Sequence, residues 1–291
     1  MTPPLPFQYH SRMMSATWKD LFAGRRELLK TGEGAAVFRQ YELFSAGSAP
    51  KVVDPKIKEI PIYENGEELI DLKTIFDPRI GMMPNPVKPF GSPDCNSGLA
   101  NASKLRQGIF LRLEKMADAL DVLAPSFGFE AGQIGIKIFE GLRDLSTQKT
   151  LYDRKLAEIL SLSPELSLEE AHQETCKWVS PVENNIPVHS TGAAVDIRLW
   201  DNYSRAFLDL GPFGVIWGPN PHAPTFSEGI ARSQKLNRLY GAMSAARAGL
   251  TNYFYEYWHF SSGDRYDAWF HQKPHAIYHS AILKPSVHRV N

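Results

Sequence analysis

The stretch Pro187-Val-His189-Ser-Thr-Gly192-Ala-Ala194-Val-Asp196 decides how this chain is read. One imidazole and one carboxylate stand on either side of a glycine turn, and the carboxylate enters an apolar strand running from Ala194 to Leu199. A carboxylate at the edge of a buried strand is costly unless something pairs with it. Glu256-Tyr-Trp258-His259 repeats the problem inside an aromatic strand expected over Tyr253 to Phe260. One cation would satisfy both segments. Zn²⁺ takes nitrogen and oxygen ligands, so His189, Asp196 and His259 would leave a fourth position open for water. Glu256 would then be a spare carboxylate able to take a proton from that water. Spacing alone leaves a second reading open, in which these groups hydrogen-bond one another or the backbone. It also raises an objection. In a straight strand Glu256 and His259 point to opposite faces, so both reach one metal only if the strand ends or bulges near Trp258.

Outward from these segments the pattern is α+β. Leu105, Ile109, Leu113, Met116, Leu120 and Leu123 form one apolar stripe, which predicts a helix over Ser103 to Leu123 ended by Pro125. Ile134 to Phe139 alternates as a strand, followed by a turn at Glu140 to Asp144. Helices are expected at Ser146 to Leu160, Ser167 to Trp178 and Ser233 to Ala248, and a strand-like piece at Glu59 to Tyr63. The strands therefore gather in the second half. The first fifty or so residues read differently. Pro3, Pro4 and Pro6 open an extended arm, a short helix is expected around Trp18 to Leu29, and Ser45 to Pro50 has loop chemistry. This places residues 1–54 as an arm that docks on the body or mediates contact in a homo-oligomer, and 55–291 as one catalytic domain.

Composition excludes more than it proposes. Lysine plus arginine number 32 and aspartate plus glutamate 32, for no net charge, which argues against a nucleic-acid partner or a polybasic membrane surface. Hydrophobic residues make up 43%, enough for a core without disulfides. Cys95 and Cys176 stand far apart, so neither a disulfide scaffold nor a cysteine-rich zinc site is expected. The opening residues lack a signal-like pattern and no apolar run is long enough to span a bilayer, so a cytoplasmic protein is expected. The familiar H-E-x-x-H, P-loop and G-x-S-x-G motifs are absent. His271, His275 and His279 recur every four residues, but Pro274 interrupts any helix that would align them.

The pattern H-x-x-G-x-A-x-D followed by E-x-W-H resembles the zinc D-Ala-D-Ala dipeptidases, the VanX-like proteins, within a wider group of D,D-carboxypeptidases and peptidoglycan endopeptidases. Phe139-Glu-Gly-Leu-Arg143-Asp-Leu-Ser-Thr-Gln148 and Gly249-Leu-Thr-Asn-Tyr253, then Gly263-Asp264, are also similar to that family, so the likeness spans residues 55 to 280. It implies a small antiparallel sheet with helices packed on it, the D-Ala-D-Ala peptidase/hedgehog-like fold. It implies zinc on His189, Asp196 and His259, Glu256 as general base, and Arg143 stabilising the charge that develops on the peptide carbonyl. The alternative for Arg143 is a surface salt bridge with Asp144 or Glu140.

The chain departs from the family where the substrate's ammonium is held. Pro187 stands in place of a serine, and Leu210-Gly-Pro-Phe-Gly214 lacks the expected aspartate, with Asp209 a candidate substitute. Three readings follow: a dipeptidase acting on D-Ala-D-Ala, in cell-wall recycling or antibiotic resistance; a D,D- or L,D-peptidase acting on an N-substituted peptide or peptidoglycan fragment; and a non-catalytic zinc-binding module. The segments Pro84 to Cys95 and Trp217 to Glu228 are candidate cleft walls.

Overall fold

The computed structural model describes residues 16–83, 101–212 and 220–281. Pro84 to Cys95, Gly214 and Trp217 lie outside them. Near the N-terminus, α1 (Trp18–Ala23) and α2 (Gly32–Ser45) precede a one-turn α3 (Pro55–Lys58). Short strands β1 (Leu69–Asp71), β2 (Ile80–Met82) and β3 (Lys104–Arg106) follow, then the long α4 (Gln107–Phe127). The centre holds β4 (Ile134–Glu140), α5 (Leu145–Leu162), α6 (Leu168–Thr175), β5 (Ala194–Asp201) and β6 (Ala206–Phe207). The chain continues through α7 (Arg232–Arg247), β7 (Thr251–Asn252), β8 (His259–Ser261) and α8 (Arg265–Phe270).

The main sheet runs β2-β4-β5-β8-β7, with β6 on the far end of β5. Every pairing in it is antiparallel except β2 with β4. One face, carrying Ile136, Ile138, Val195, Ile197 and Leu199, packs into the main hydrophobic core with α4 and α7. The mixed α+β class holds, with one parallel pair in a mostly antiparallel sheet.

Several boundaries differ from expectation. The α4 stripe begins one element later, because Lys104–Arg106 pairs with β1 as a strand. Pro125 does not end the helix. It sits in the last turn, where few backbone bonds depend on it, and the stop is Gly128 at φ 83, which lets its N–H reach back to Ala124 and Pro125. The expected Trp18–Leu29 helix breaks at Gly24, and α2 had no counterpart in the sequence reading. Its start is tight: a Cβ on Gly34 would lie 1.9 Å from the Leu28 carbonyl oxygen. Glu59–Tyr63 makes only an isolated bridge, Ile62 to Ala276. Three strands, β1 to β3, precede α4, each too short to show a period.

Trp18 is fully buried and its indole N–H donates to the Ser227 carbonyl at 3.0 Å. Lys235, fully buried in α7, donates to the Ala16 carbonyl and to Glu228. These bonds seat α1 on the same core as α4 and α7. No helix among the described residues is long and apolar enough to cross a membrane.

Candidate metal centre

His189 lies in a 3-10 turn, Val188–Thr191, closed by Gly192 at φ 71. A residue with positive φ favours glycine, and the neighbours reinforce this: a Cβ here would fall 2.7 Å from Leu69 Cδ2. The turn delivers the chain into β5, where alternation sends Asp196 to the face opposite the core. His259 begins β8, directly paired with Asp196 across the ladder.

Tyr253 to Phe260 is not one strand. β7 ends at Asn252, and the next six residues form turns, with Glu256 N–H donating to the Tyr253 carbonyl at 2.9 Å and His259 N–H to the Glu256 carbonyl at 3.2 Å. Asn252 fastens this loop. Its buried amide donates to the carbonyls of Glu256 at 3.1 Å and His259 at 2.9 Å, and Thr225 donates to its oxygen. The interruption removes the alternation objection, and Glu256 Oε2 comes within 3.9 Å of His259 Nδ1.

Three donor atoms converge. His189 Nε2 and His259 Nδ1 are 3.1 Å apart, and Asp196 Oδ1 lies 3.3 Å from the first and 2.9 Å from the second. All three residues are buried, and their ligand atoms lie within 4.8 Å of one another, close enough to hold a metal ion. The orientation suits ligation. The Gly141 carbonyl lies 2.8 Å from His189 Nδ1 and accepts its proton in the neutral ring, which turns a bare Nε2 inward. Asp196 Oδ1 is buried and accepts no hydrogen bond among the described residues. Bare acceptors facing one another at this range repel unless a proton or a cation sits between them. Two nitrogens and one carboxylate oxygen form a donor set that zinc accepts.

The surrounding charges favour a cation. Burial would raise the Asp196 carboxyl, but His189 and His259 beside it hold it well below the usual carboxylate range. Burial would lower His189, yet Asp196 and then Glu140 raise it above the ordinary histidine value. Burial pushes Glu256 up, with Asp196 adding to the rise and His259 and Arg143 opposing it.

Arg143 follows β4, and its backbone N–H donates to the His189 carbonyl at 3.1 Å. Its guanidinium grips Glu140 with two bonds, Nε to Oε1 at 2.7 Å and Nη2 to Oε2 at 2.6 Å, and Nη1 donates to Gln148 Oε1 at 2.9 Å. Gln148 passes the connection to the Ser180 carbonyl at 2.6 Å. The Glu140 pairing named as the alternative for Arg143 does form, but it is buried rather than superficial. Desolvation opposes the arginine's charge, while Glu140, then Asp196 and Glu256, hold it protonated. One N–H on each terminal nitrogen is not used by these bonds.

The structure thus brings His189, Asp196, His259, Glu256 and Arg143 to one place. Asp209 does not join them. It is exposed, and its carboxylate takes two bonds from Gln234 Nε2, at 3.0 and 3.1 Å, and one from Gly211 N–H at 3.0 Å. Pro187 is buried and offers only its carbonyl, which Ser190 occupies through N–H and hydroxyl. His271 bonds Thr251 at 3.2 Å, and His275 meets the Tyr63 ring edge to face. Sequence reasoning missed Asn252 and the bidentate role of Glu140. A polar side chain entering an aromatic run was the available signal for Asn252.

No family model matches the chain. Over 191 residues, 59% of this chain and 74% of the other, it is 28% identical to a D-alanyl-D-alanine dipeptidase of Synechocystis sp.. That makes the two distant relatives.

Proposed function

We propose that this chain is a zinc metallopeptidase of the VanX-like type with the D-Ala-D-Ala peptidase/hedgehog-like fold, cleaving a small D-amino-acid dipeptide, D-Ala-D-Ala foremost, in the cytoplasm. The observation that carries the reading is the convergence of His189, Asp196 and His259 with a third-exposed Glu256 at its edge. The distant dipeptidase relative supports it. A purely structural metal site would need neither that spare carboxylate nor Arg143, which weighs against a non-catalytic module.

Zinc, when bound, supplies a Lewis acid and makes a water acidic enough to ionise near neutral pH. The chain's own residues do the rest. Glu256 takes the proton from the attacking water. The same carboxyl then gives it to the departing amine as the C–N bond breaks. Burial raises its pKa, which suits a group that must both accept and return a proton. The unused Arg143 N–H groups meet the negative charge that grows on the carbonyl oxygen. Glu140 and Gln148 keep that guanidinium from turning, so little reorganisation is needed as charge develops.

A specific observation favours a second reading of the substrate. Pro187 offers no side-chain donor, and Asp209 is committed to Gln234. A free ammonium would lose both contacts there, whereas an acylated amine needs no counter-charge. The experiment compares hydrolysis of D-Ala-D-Ala with its N-acetyl derivative. The dipeptidase reading expects the free dipeptide to be preferred. Preference for the acetylated form would reassign the chain as a D,D- or L,D-peptidase, and no hydrolysis of either by zinc-loaded protein would count against both.

A further inference from the structure

The N-terminal arm grips the residues just before Glu256, and this inference rests on the peptidase reading, in which Glu256 is the base. Tyr253, Phe254 and Tyr255 lead into that carboxylate. The Tyr255 hydroxyl donates to the Ala49 carbonyl at 2.7 Å, a bond across 206 residues of sequence. Phe254 is fully buried in a small core cluster that includes Ala49 and Ile57. Tyr253 is the backbone hub of the turn. Its N–H donates to the His259 carbonyl at 2.9 Å, and its own carbonyl accepts from the Glu256 N–H at 2.9 Å. The Tyr253 ring meets the His259 ring edge to face, with centres 5.8 Å apart. Val52 of the arm packs on the same small cluster as Tyr253 and Tyr255.

The arm reaches the same turn by a second route. Phe226 is buried among three rings of the arm, Trp18, Tyr41 and Phe44, with centres 5.2, 5.6 and 5.9 Å away. The residue before it, Thr225, donates its N–H to the Phe254 carbonyl at 2.9 Å and its hydroxyl to the Asn252 side chain. Phe44 also meets the Tyr255 ring edge to face at 5.8 Å, so the two routes share a residue. An arm that only docked or dimerised would need no bond to a turn beside the metal donors. A turn has no ladder to fix it, so it is only as still as the groups that pack on it. A reacting group displaced by about 1 Å can lose about 100-fold in rate.

We propose that residues 16–54 are a built part of the active site and that Tyr255 is a positioning residue, which through the Ala49 carbonyl fixes the turn that carries Glu256. The tyrosine touches no reacting group. It acts through the backbone of the next residue and keeps the carboxylate where it meets the attacking water. The arm then serves rate and not zinc binding, because Asp196 and His259 are paired in the β5–β8 ladder whatever holds the turn.

The test uses the full-length zinc-loaded protein and Tyr255→Phe, which deletes one hydroxyl and keeps the ring. Ser167→Ala is the control. It removes the α6 cap that accepts from Glu170 N–H at 3.3 Å, a loss of similar size that touches neither the arm nor the turn. Three readouts are taken: kcat and KM on D-Ala-D-Ala, zinc affinity, and amide hydrogen exchange over residues 253–259, which reports the turn without turnover. Tyr255→Phe should lower kcat about tenfold to hundredfold and leave KM and zinc affinity within about twofold. Exchange over 253–259 should quicken about tenfold. Ser167→Ala should keep wild-type kcat. Wild-type kcat or wild-type exchange in Tyr255→Phe would overturn the proposal while leaving the peptidase reading standing. So would lost zinc binding in that variant, or an equal loss of kcat in Ser167→Ala. A wild-type protein that hydrolyses no peptide, with exchange over 253–259 quickened in Tyr255→Phe alone, would keep the arm's hold on the turn and remove the peptidase reading.

Discussion

The two segments that supply the candidate metal centre are built in opposite ways. His189 and Asp196 come from a tight turn feeding a regular strand, aimed by Gly192 at positive φ and by strand alternation, with the Gly141 carbonyl from the neighbouring β4 segment bonded to the histidine ring. Glu256 and His259 come from a strand that has been interrupted. Their placement depends on side-chain bonds rather than a ladder: the nearby Asn252 amide, Thr225 behind it from another part of the chain, and the Tyr255 hydroxyl bonded to the Ala49 carbonyl at 2.7 Å. The first arrangement makes a rigid ligand pair. The second lets one short loop carry both a ligand and a spare carboxylate, which no regular strand could present to the same point.

Substitutions that separate the roles of the two segments should give the largest effects. Glu256→Ala is expected to lower kcat on the order of 1,000-fold or more while zinc stays bound, since a positioned acid–base group contributes about 100- to 10,000-fold. His189→Ala should lose zinc and activity together. Kinetics paired with metal analysis distinguish them, and retained activity in Glu256→Ala would remove it as the base.

Asn252→Ala tests whether the irregular segment depends on its clamp. Lost bonds to two carbonyls should cost about 1–3 kcal/mol in denaturant unfolding. A shift of Glu256 by about 1 Å would lower kcat on the order of 100-fold. A kcat loss with wild-type zinc affinity would show that the clamp serves the carboxylate more than the ligand.

Gly192→Ala probes the regular segment. The left-handed backbone costs about 1–2 kcal/mol for alanine, before Leu69 moves aside. Calorimetric unfolding of the metal-free protein should show the loss.

The smallest effect lies outside both segments, at Asp144, which caps α5 just after Arg143 by accepting from Thr147 N–H at 2.9 Å. Asp144→Ala should cost about 1 kcal/mol at neutral pH. Burial alone would raise this carboxyl, but bonds from Ser146, Thr147 and Asn101 lower it below its ordinary value. A depressed acid contributes stability above its unfolded pKa and loses it as pH falls through the folded one. The gap between variant and wild type should therefore be constant near neutrality and close only below the usual carboxylate range. A gap that closed near pH 6 would refute the assignment.

The same contrast explains what the sequence made legible. Gly192, the alternation of β5 and the stripe on α4 are local signals with a period, and they placed His189, Asp196 and the core. The turn between β7 and β8 carries no period. It is held by the Asn252 amide on two carbonyls that also accept backbone N–H groups, and the oxygen of that amide is bonded by Thr225 some thirty residues away. The α2 helix and β1–β3 were unreadable for a related reason: two early glycines mask the first, and three-residue strands show no alternation.

The most direct measurement is a calorimetric titration of zinc into metal-free wild type, Glu256→Ala and His189→Ala. One site per chain is expected in the first two, of similar affinity, and none in the third. Undiminished zinc binding by His189→Ala would contradict the metal centre described here.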